Sequence, residues 1–408
     1  MRDKVTPQGP GKNTGYPNQA NVSVKPPKKK GSGLLGRIIR RFFLLLFTII
    51  FLVVGALTLV MRHIFDGPSE EAKRVLTMSL LEPSATKWIP ALFIGEEAVD
   101  EIRNAGKGQM TEETTDLDQI VINRGGAVAS GDSHEWDNYA AGIRIEEYKG
   151  TTFNAHIMIV RDPARVSLGV SYEHNGSNAS GFSESNPGIR LNQVMDQYPD
   201  ITAVVNAGAF NDDGTANATV GSIPAGLTVS GGKVVSDIYK GMVPEEGFCG
   251  FNKDDKMVVA KSMTASQAVE QNIRDGCEFG PVLIMNGVVN QEAYNSASGY
   301  NPRTAIGQRA DGVVIFLCID GRQAGSIGAS YKDVIDIMSE YGAVNACNMD
   351  GGSSSVMLYN DVDGRYADRD YHDIDSSETV KMVNNYSVLQ SKPRRMPNFW
   401  MVRPASEG

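Results

Sequence analysis

Residues 343–359 read AVNACNMDGGSSSVMLY and change character twice. An apolar segment ends at Asp350, two glycines and three serines follow, and a second apolar segment begins at Val356. Glycine accepts positive φ and serine favours turns, so the pattern predicts two strands joined by a turn. The same turn offers a carboxylate, backbone amides and hydroxyls to a ligand.

Short apolar runs broken by Gly, Asn and Asp surround this stretch from Tyr139 onward. They include TTFNAHIMIV, RVSLGVSY, ITAVVNAGAF, GPVLIMNGVV and GVVIFLCIDG, each with the length and composition of a strand. One helix interrupts them, since Ser330 is a good cap and apolar residues recur at helical spacing over 334–341, before Gly342. The sequence predicts an α+β fold, a mixed β-sheet domain with few helices, over residues 139–408.

Residues 42–61 form an uncharged apolar run, FFLLLFTIIFLVVGALTLVM. At ~1.5 Å rise per residue the run crosses the ~30 Å hydrocarbon layer, so it predicts a transmembrane helix. A cleaved signal peptide is the alternative, but its apolar core has roughly 7 to 15 residues and ends at a small-residue cleavage site. Arg62 and His63 follow directly here, so we expect an uncleaved signal-anchor.

Basic residues precede this span. Residues 1–41 carry ten Lys or Arg and one Asp, and their composition predicts a disordered tail that stays in the cytoplasm by the positive-inside rule. We expect a short helical stalk and an acidic linker over residues 62–138. The protein is thus predicted to be a single-pass cell-membrane protein with its large domain extracellular.

Charge and motif content exclude several functions. The chain carries a net charge of −9 despite its basic tail, so the acidic domain offers no broad basic face and no nucleic-acid partner is expected. GxSxG, HExxH and P-loop motifs are missing, and the histidines, His156 among them, show no ligand spacing. No cofactor is expected to be required, although the acids leave room for a divalent cation such as calcium.

The four cysteines lack the CxxC spacing of zinc or thiol-redox sites. Cys318 and Cys347 lie in apolar runs and are predicted to be buried thiols. Cys249 and Cys277 form one disulfide if the domain is exported, or remain thiols, and the sequence leaves both alternatives open.

The Asp350 turn is the first candidate site. Gly351 and Gly352 allow close approach of backbone amides, and the hydroxyls of Ser353 and Ser354 can face an anion. The alternative is a tight hairpin turn in which these residues bind nothing.

Two further clusters lie at predicted strand ends, where sites collect. Arg303, in YNPRTAIGQ, is suited to grip a phosphate, the alternative being a structurally paired arginine. Asp320 ends the strand GVVIFLCID. In VVNAGAFND, Asn206 and Gly208 leave another strand, and an ordinary Asn-Gly turn is the alternative.

The motifs follow the order NAGAFND, GPVLIMNG, NPRTAIGQ, IDGR, one helix, then CNMDGGSSSVML. This ordered set resembles the phosphodiester glycosidase family, which includes the enzyme that uncovers mannose 6-phosphate by removing N-acetylglucosamine. The resemblance covers about residues 140–405. Ser353 stands where a third glycine is usual, and Ala209 stands where the family often has an aromatic residue.

The resemblance implies a hydrolase that cleaves a sugar 1-phosphodiester in a cell-surface glycopolymer or exopolysaccharide. Arg303 would bind the phosphate, and Asp350 and Asp320 would activate water or stabilise an oxocarbenium-like centre. The implied substrate-binding residues are Asn206, Gly208, Gly351, Gly352, Ser353 and Ser354. The alternative is a non-catalytic glycan-binding or assembly module in exopolysaccharide biosynthesis.

Overall fold

The structure is a computed structural model that divides into two compact units, residues 1–61 and 62–408. It describes residues 34–81, 86–104, 114–122, 142–174, 181–198, 200–210, 220–238, 247–296, 298–362, 364, 372–373, 379–385 and 393–404. The predicted disordered tail lies largely outside these ranges, as do Asn211 and Asp212 of the NAGAFND motif.

Helix α1, Leu34–Phe65, contains the predicted span and is long and apolar enough to cross a membrane. Its apolar side chains are exposed along the run. Thr48 and Thr58 each donate their hydroxyl to the carbonyl four residues earlier, at 2.8 Å. The polar groups within the apolar run are therefore satisfied inside the helix, as a lipid environment requires.

The predicted stalk contains two helices, α2 (Glu70–Leu81) and α3 (Ile89–Asn104), the latter kinked at Gly95, where φ is 81°. Pro90 lies in the first turn of α3, where no backbone donor is needed; Pro83 lies outside the described residues. The amide of Tyr300 donates to Ser79 Oγ at 3.0 Å. Helix α2 thus contacts a loop of the β-rich domain.

Part of the predicted acidic linker is also ordered against the domain. Thr115 Oγ1 donates to the carbonyl of Val259 at 2.7 Å and accepts from its amide at 2.8 Å, and Ile120 is fully buried. Residues 114–122 therefore extend the compact domain beyond the predicted boundary at residue 139. The linker residues 123–138 lie outside the described part of the chain.

Three antiparallel sheets form the domain. The first contains, in spatial order, β1 (Ile143–Lys149), β2 (Asn154–Val160), β13 (Val314–Ile319), β12 (Arg303–Arg309), β14 (Ala343–Met349), β10 (Val282–Met285) and β11 (Val288–Val289). The second contains β16 (His372–Asp373), β17 (Val380–Met382), β15 (Met357–Asn360), β4 (Ala203–Asn206), β18 (Asn398–Val402) and β3 (Val166–Val170). The third contains β6 (Lys233–Ile238), β5 (Gly226–Ser230), β9 (Ile273–Glu278), β7 (Phe248–Asn252) and β8 (Met257–Ala260).

Five further α-helices lie within the described part of the domain: α4 (Ser171–His174), α5 (Leu191–Gln197), α6 (Ala265–Glu270), α7 (Gln291–Asn295) and α8 (Tyr331–Glu340). Helix α8 is the one predicted from the sequence. Ser330 Oγ accepts from the amide of Asp333, whose carboxylate accepts from Ser330 in return, and Gly342 follows with φ 80°. This capping box and terminal glycine confirm the predicted start and end of the helix.

One apolar core lies between the three sheets. Met158 and Phe316 reach it from the first sheet, Trp400 from the second and Phe251 from the third; the rings of Phe251 and Trp400 meet edge to face at 5.8 Å. Outer clusters cover the opposite faces, with α7 and α8 on the first sheet, α5 on the second and α6 on the third. The predicted α+β fold, a β-sheet domain with few helices, is confirmed.

All four cysteines are buried free thiols. Cys249 and Cys277 are direct cross-strand neighbours on β7 and β9, so the pairing suggested by the sequence is a contact between thiols. Burial, together with the neighbouring thiols of Cys277 and Cys347, raises the pKa of Cys249 well above its ordinary value. Burial and nearby Asp320 do the same for the pKa of Cys318.

Candidate functional site

Antiparallel pairing brings three predicted site residues to one edge of the first sheet. Strand β12 lies between β13 and β14 and runs opposite to both, so its start meets both of their ends. Arg303 is paired with Ile319, the residue before Asp320, and Thr304 with Met349, the residue before Asp350. The geometry of the sheet therefore gathers residues that are far apart in the sequence.

Asn206 ties the second sheet to this edge. Its Nδ2 donates to the carbonyl of Asp350 at 2.6 Å, and its Oδ1 accepts from Thr304 Oγ1 at 2.9 Å and from the amide of Val356 at 3.1 Å. The amide of Asp350 also donates to the carbonyl of Ala207 at 3.0 Å. Asn206 is fully buried, so its contacts hold the Asp350 turn in place.

Gly208 and Gly351 occupy positions of close backbone approach. A Cβ atom on Gly208 would lie 3.1 Å from the carbonyl oxygen of Glu278, and one on Gly351 would lie 2.8 Å from that of Pro302. The amide of Gly208 donates to Asn398 Oδ1 at 3.0 Å. Both glycines allow two backbone segments to approach closely.

A small cleft that is open to solvent lies at this edge. The predicted residues Asp320, Gly352 and Ser353 line it. The other lining residues are Pro302, Ile319, Gly321, Arg322, Ser355, Asn384 and Asn385. The cleft thus combines one carboxylate with one guanidinium and several hydroxyl and amide groups.

Asp320 is 3% exposed, and hydrogen-bond donors hold both of its carboxylate oxygens. Oδ1 accepts from the amide of Asn385 at 2.8 Å, and Oδ2 lies 3.3 Å from Nε2 of His156. His156 comes from β2 and was not paired with any acid in the sequence, because 164 residues separate the two.

Arg322 is the cation of the cleft and was not selected from the sequence, although it directly follows Asp320 and Gly321 in the motif IDGR. Its Nη2 donates to Asn301 Oδ1 at 3.2 Å. Gly352, which has a positive φ of 61°, lies beside the guanidinium. The side chain therefore rests on the backbone of the Asp350 turn.

Arg303 has a different position from the one expected of a phosphate ligand. Its Nε donates to the carbonyl of Ala329 at 3.1 Å, and its Nη2 donates to those of Ser298 and Gly299 at 2.7 and 3.2 Å. The guanidinium stacks on the ring of Tyr331, 4.3 Å from its centroid. These contacts are those of a structurally paired arginine, and Arg303 is buried and does not line the cleft.

The serines of the Asp350 turn differ in their partners. Ser353 Oγ accepts from Nη1 of Arg394 at 3.3 Å, and Arg394 in turn lies over the ring of Phe210. The hydroxyls of Ser354 and Ser355 are buried and have no hydrogen-bond partner in the described part of the chain. Because Ser355 lines the cleft, its hydroxyl is a group that a ligand can satisfy.

Within the described ranges, no group of three or more His, Cys, Asp or Glu side chains could hold a metal ion. The divalent cation that the sequence allows beside Asp320 and Asp350 therefore has no such cluster of ligands among the described residues.

Comparison with known proteins places this site within a family. A family model for phosphodiester glycosidases matches residues 199–403. A stretch of 146 residues is 28% identical to the SPbeta prophage-derived protein YomE of Bacillus subtilis, covering 35% of this chain and 22% of that one. The chain thus spans less than a quarter of the length of that relative.

Two solved structures are also similar. The first is the catalytic domain of zebrafish N-acetylglucosamine-1-phosphodiester alpha-N-acetylglucosaminidase, auto-inhibited by its pro-peptide, with 19% identity and a TM-score of 0.42 over 64% of this chain and 81% of that one. The second is a hypothetical protein from Synechocystis, with 15% identity and a TM-score of 0.40 over 64% and 62%. The family match covers half of the chain and includes Asn206, Asp320 and Asp350, and the protein belongs to the phosphodiester glycosidase family.

Proposed function

We propose that the domain hydrolyses a sugar 1-phosphodiester similar to an N-acetylglucosamine 1-phosphodiester. The observation that carries the proposal is the cleft in which the Asp320 carboxylate and the Arg322 guanidinium lie on either side of Gly321 and face the Asp350 turn. A phosphodiester needs a cation to bind its charge, and an anomeric carbon needs a carboxylate to assist its substitution. The cleft supplies both groups.

Arg322 binds the phosphate in this proposal. A guanidinium matches the geometry of phosphate oxygens and can donate two parallel hydrogen bonds. The Ser353 and Ser355 hydroxyls, which line the same cleft, add neutral donors. Arg394 contacts Ser353 from another direction and adds positive charge near the phosphate. Donors fixed before reaction stabilise the charge that develops on the departing phosphate.

The carboxylates act at the sugar. A water oxygen attacks the anomeric carbon, the bond from that carbon to the phosphate-bearing oxygen breaks, and its electron pair leaves with the phosphate. Asp320, or Asp350 at the neighbouring strand end, takes the water proton or stabilises the oxocarbenium-like centre. Because a phosphate is already a fair leaving group, strong general-acid assistance is dispensable.

We further propose that α1 anchors the protein in the cell membrane, with the N terminus in the cytoplasm and the domain outside. The basic residues Arg37, Arg40 and Arg41 before the apolar run support this orientation. A domain held at the outer surface would meet a cell-surface glycopolymer or exopolysaccharide, and we propose such a polymer as the substrate.

The test is hydrolysis by the full chain in detergent micelles, with UDP-N-acetylglucosamine and the methyl ester of N-acetylglucosamine 1-phosphate as probes. We expect release of free sugar by the wild type and its loss in Asp320→Asn. Asp237→Asn, the same change at an exposed position of β6, should retain activity. Retained glycan binding by folded wild type without sugar release from either probe would instead support the binding or assembly module.

A further inference from the structure

His156 lies in the first sheet beside the cleft. It is directly opposite Cys318 on β13 and opposite Glu147 on β1, and these side chains share one face of the sheet. The imidazole is 8% exposed. Its Nε2 lies 3.3 Å from Oδ2 of Asp320, the carboxylate that lines the cleft.

The other ring nitrogen of His156 is an unusual feature of this pair. Nδ1 is buried and has no hydrogen-bond partner in the described structure. Burying a polar atom without a hydrogen-bond partner costs about 1–3 kcal/mol of stability. A side chain with such an atom is retained where another of its atoms has a role. An apolar residue would suit this core-facing strand position better. The contact with Asp320 is therefore the feature that favours a histidine here.

The groups around His156 identify which of its two ring nitrogens donates to Asp320. The titratable groups that face His156 across the strands are Glu147, Cys318 and Asp320. A neutral imidazole carries its proton on the nitrogen that meets an acceptor. Nε2 is therefore the donor and Nδ1 the bare nitrogen.

We propose that His156 is a positioning residue for Asp320. Its Nε2–H holds Oδ2 from the β2 side while the amide of Asn385 holds Oδ1 from the other side. A carboxylate has about four lone-pair sites. These two bonds fix its plane, and the remaining sites can serve the reacting water or the anomeric carbon. The inference rests on the proposed function, in which Asp320 is one of the acting carboxylates.

A measurement of the histidine tautomer tests the pair without any substrate. In full chain labelled with ¹⁵N-histidine, we expect the signal of His156 to show a protonated Nε2. His156→Gln identifies that signal by removing it, and Asp320→Asn should shift it. A bare Nε2, or no response to Asp320→Asn, would overturn the proposed contact.

Kinetics with the two sugar phosphate probes test whether the contact between His156 and Asp320 supports catalysis. We expect His156→Leu to lower kcat by about tenfold or more with KM changed less than about twofold. His156→Gln can still donate a hydrogen bond and should recover much of kcat. Met158→Leu, a volume-conserving change on the same face of β2, is the control and should behave as wild type.

The double variant separates this inference from the proposed function. If His156 acts through Asp320, adding His156→Leu to Asp320→Asn should cause little further loss. Additive losses, or an unchanged kcat in His156→Leu, would overturn the positioning role. Wild-type activity in Asp320→Asn alone would instead overturn the catalytic role of Asp320 in the proposed function.

Discussion

Nη2 of Arg322 lies 3.0 Å from the position that a Cβ atom would take on Gly352. Both residues have positive φ, 59° for Arg322 and 61° for Gly352. The guanidinium therefore occupies space that is open only because residue 352 has no side chain. Since both residues line the cleft, the glycine sets the position of the cation.

Gly352→Ala should therefore weaken substrate binding. The new methyl group pushes the guanidinium away, and we expect KM to rise by about tenfold, equivalent to roughly 1.4 kcal/mol. The positive φ adds a stability cost of about 1–2 kcal/mol. Gly231→Ala is the matched control, because Gly231 also has a positive φ of 55° but its added Cβ would meet nothing within 4 Å. An unchanged KM in Gly352→Ala, with stability lowered as in the control, would contradict this prediction.

Arg322→Lys tests whether phosphate binding needs the forked shape of the guanidinium as well as its positive charge. Lysine keeps the charge but cannot donate two parallel hydrogen bonds to a phosphate. We expect KM for the methyl ester probe to rise at least about tenfold, with the melting temperature changed little. Arg309→Lys, at a partly exposed arginine paired with Asp311, is the control. Equal KM values for Arg322→Lys and wild type would exclude Arg322 as the phosphate ligand.

Arg303→Lys should mainly destabilise the fold. Lysine cannot reproduce the Nε and Nη2 contacts to three carbonyls or the stacking on Tyr331. Disrupting such a buried charged group costs about 3–5 kcal/mol, and each kcal/mol lowers the melting temperature by roughly 2–4 °C in a domain of this size. Thermal unfolding followed by circular dichroism would measure the loss. A stable variant with a strongly raised KM would restore the phosphate-binding role first inferred from the sequence.

These contrasts show which features the sequence could predict. The strands and α8 follow from local periodicity and capping, and the DGGSSS turn is recognisable because Gly and Ser interrupt two apolar runs. The meeting of Asp320 and Asp350 at one sheet edge required only that antiparallel strands flank β12. Local chemistry therefore predicted which strand ends carry the residues that meet at this edge.

The sequence could not assign roles to individual side chains, because their partners come from distant segments. The carbonyls that hold Arg303 belong to loops at 298–299 and 329, and nothing local marks them as acceptors. Arg322 reaches the cleft through a positive φ, which arginine rarely adopts. Ile120 begins a short apolar run, residues 120–122, in an otherwise polar stretch, and its burial depended on a docking surface that the sequence does not reveal.

The cysteines should behave as four inert thiols. The thiolate is the reactive form, and burial raises the pKa of Cys249 and Cys318. Iodoacetamide should modify none of the four cysteines in the native protein and all of them in denaturant without reductant, as counted by mass spectrometry. If Cys249 and Cys277 became reactive only after reduction, they would form the disulfide that the sequence left open.

Asp350→Asn should abolish turnover and leave the fold intact. The backbone of residue 350 makes two structural contacts, its amide to Ala207 and its carbonyl to Asn206, and asparagine preserves both. The substitution removes the charge and the ability to accept a proton, which in general acid–base catalysis contributes about 10²–10⁴-fold. We expect kcat to fall within that range, with a melting temperature close to that of wild type. Because the rest of the turn is unchanged, KM for the methyl ester probe should stay within about twofold of the wild-type value. Substantial activity in a well-folded Asp350→Asn would leave Asp320 as the carboxylate that acts at the sugar.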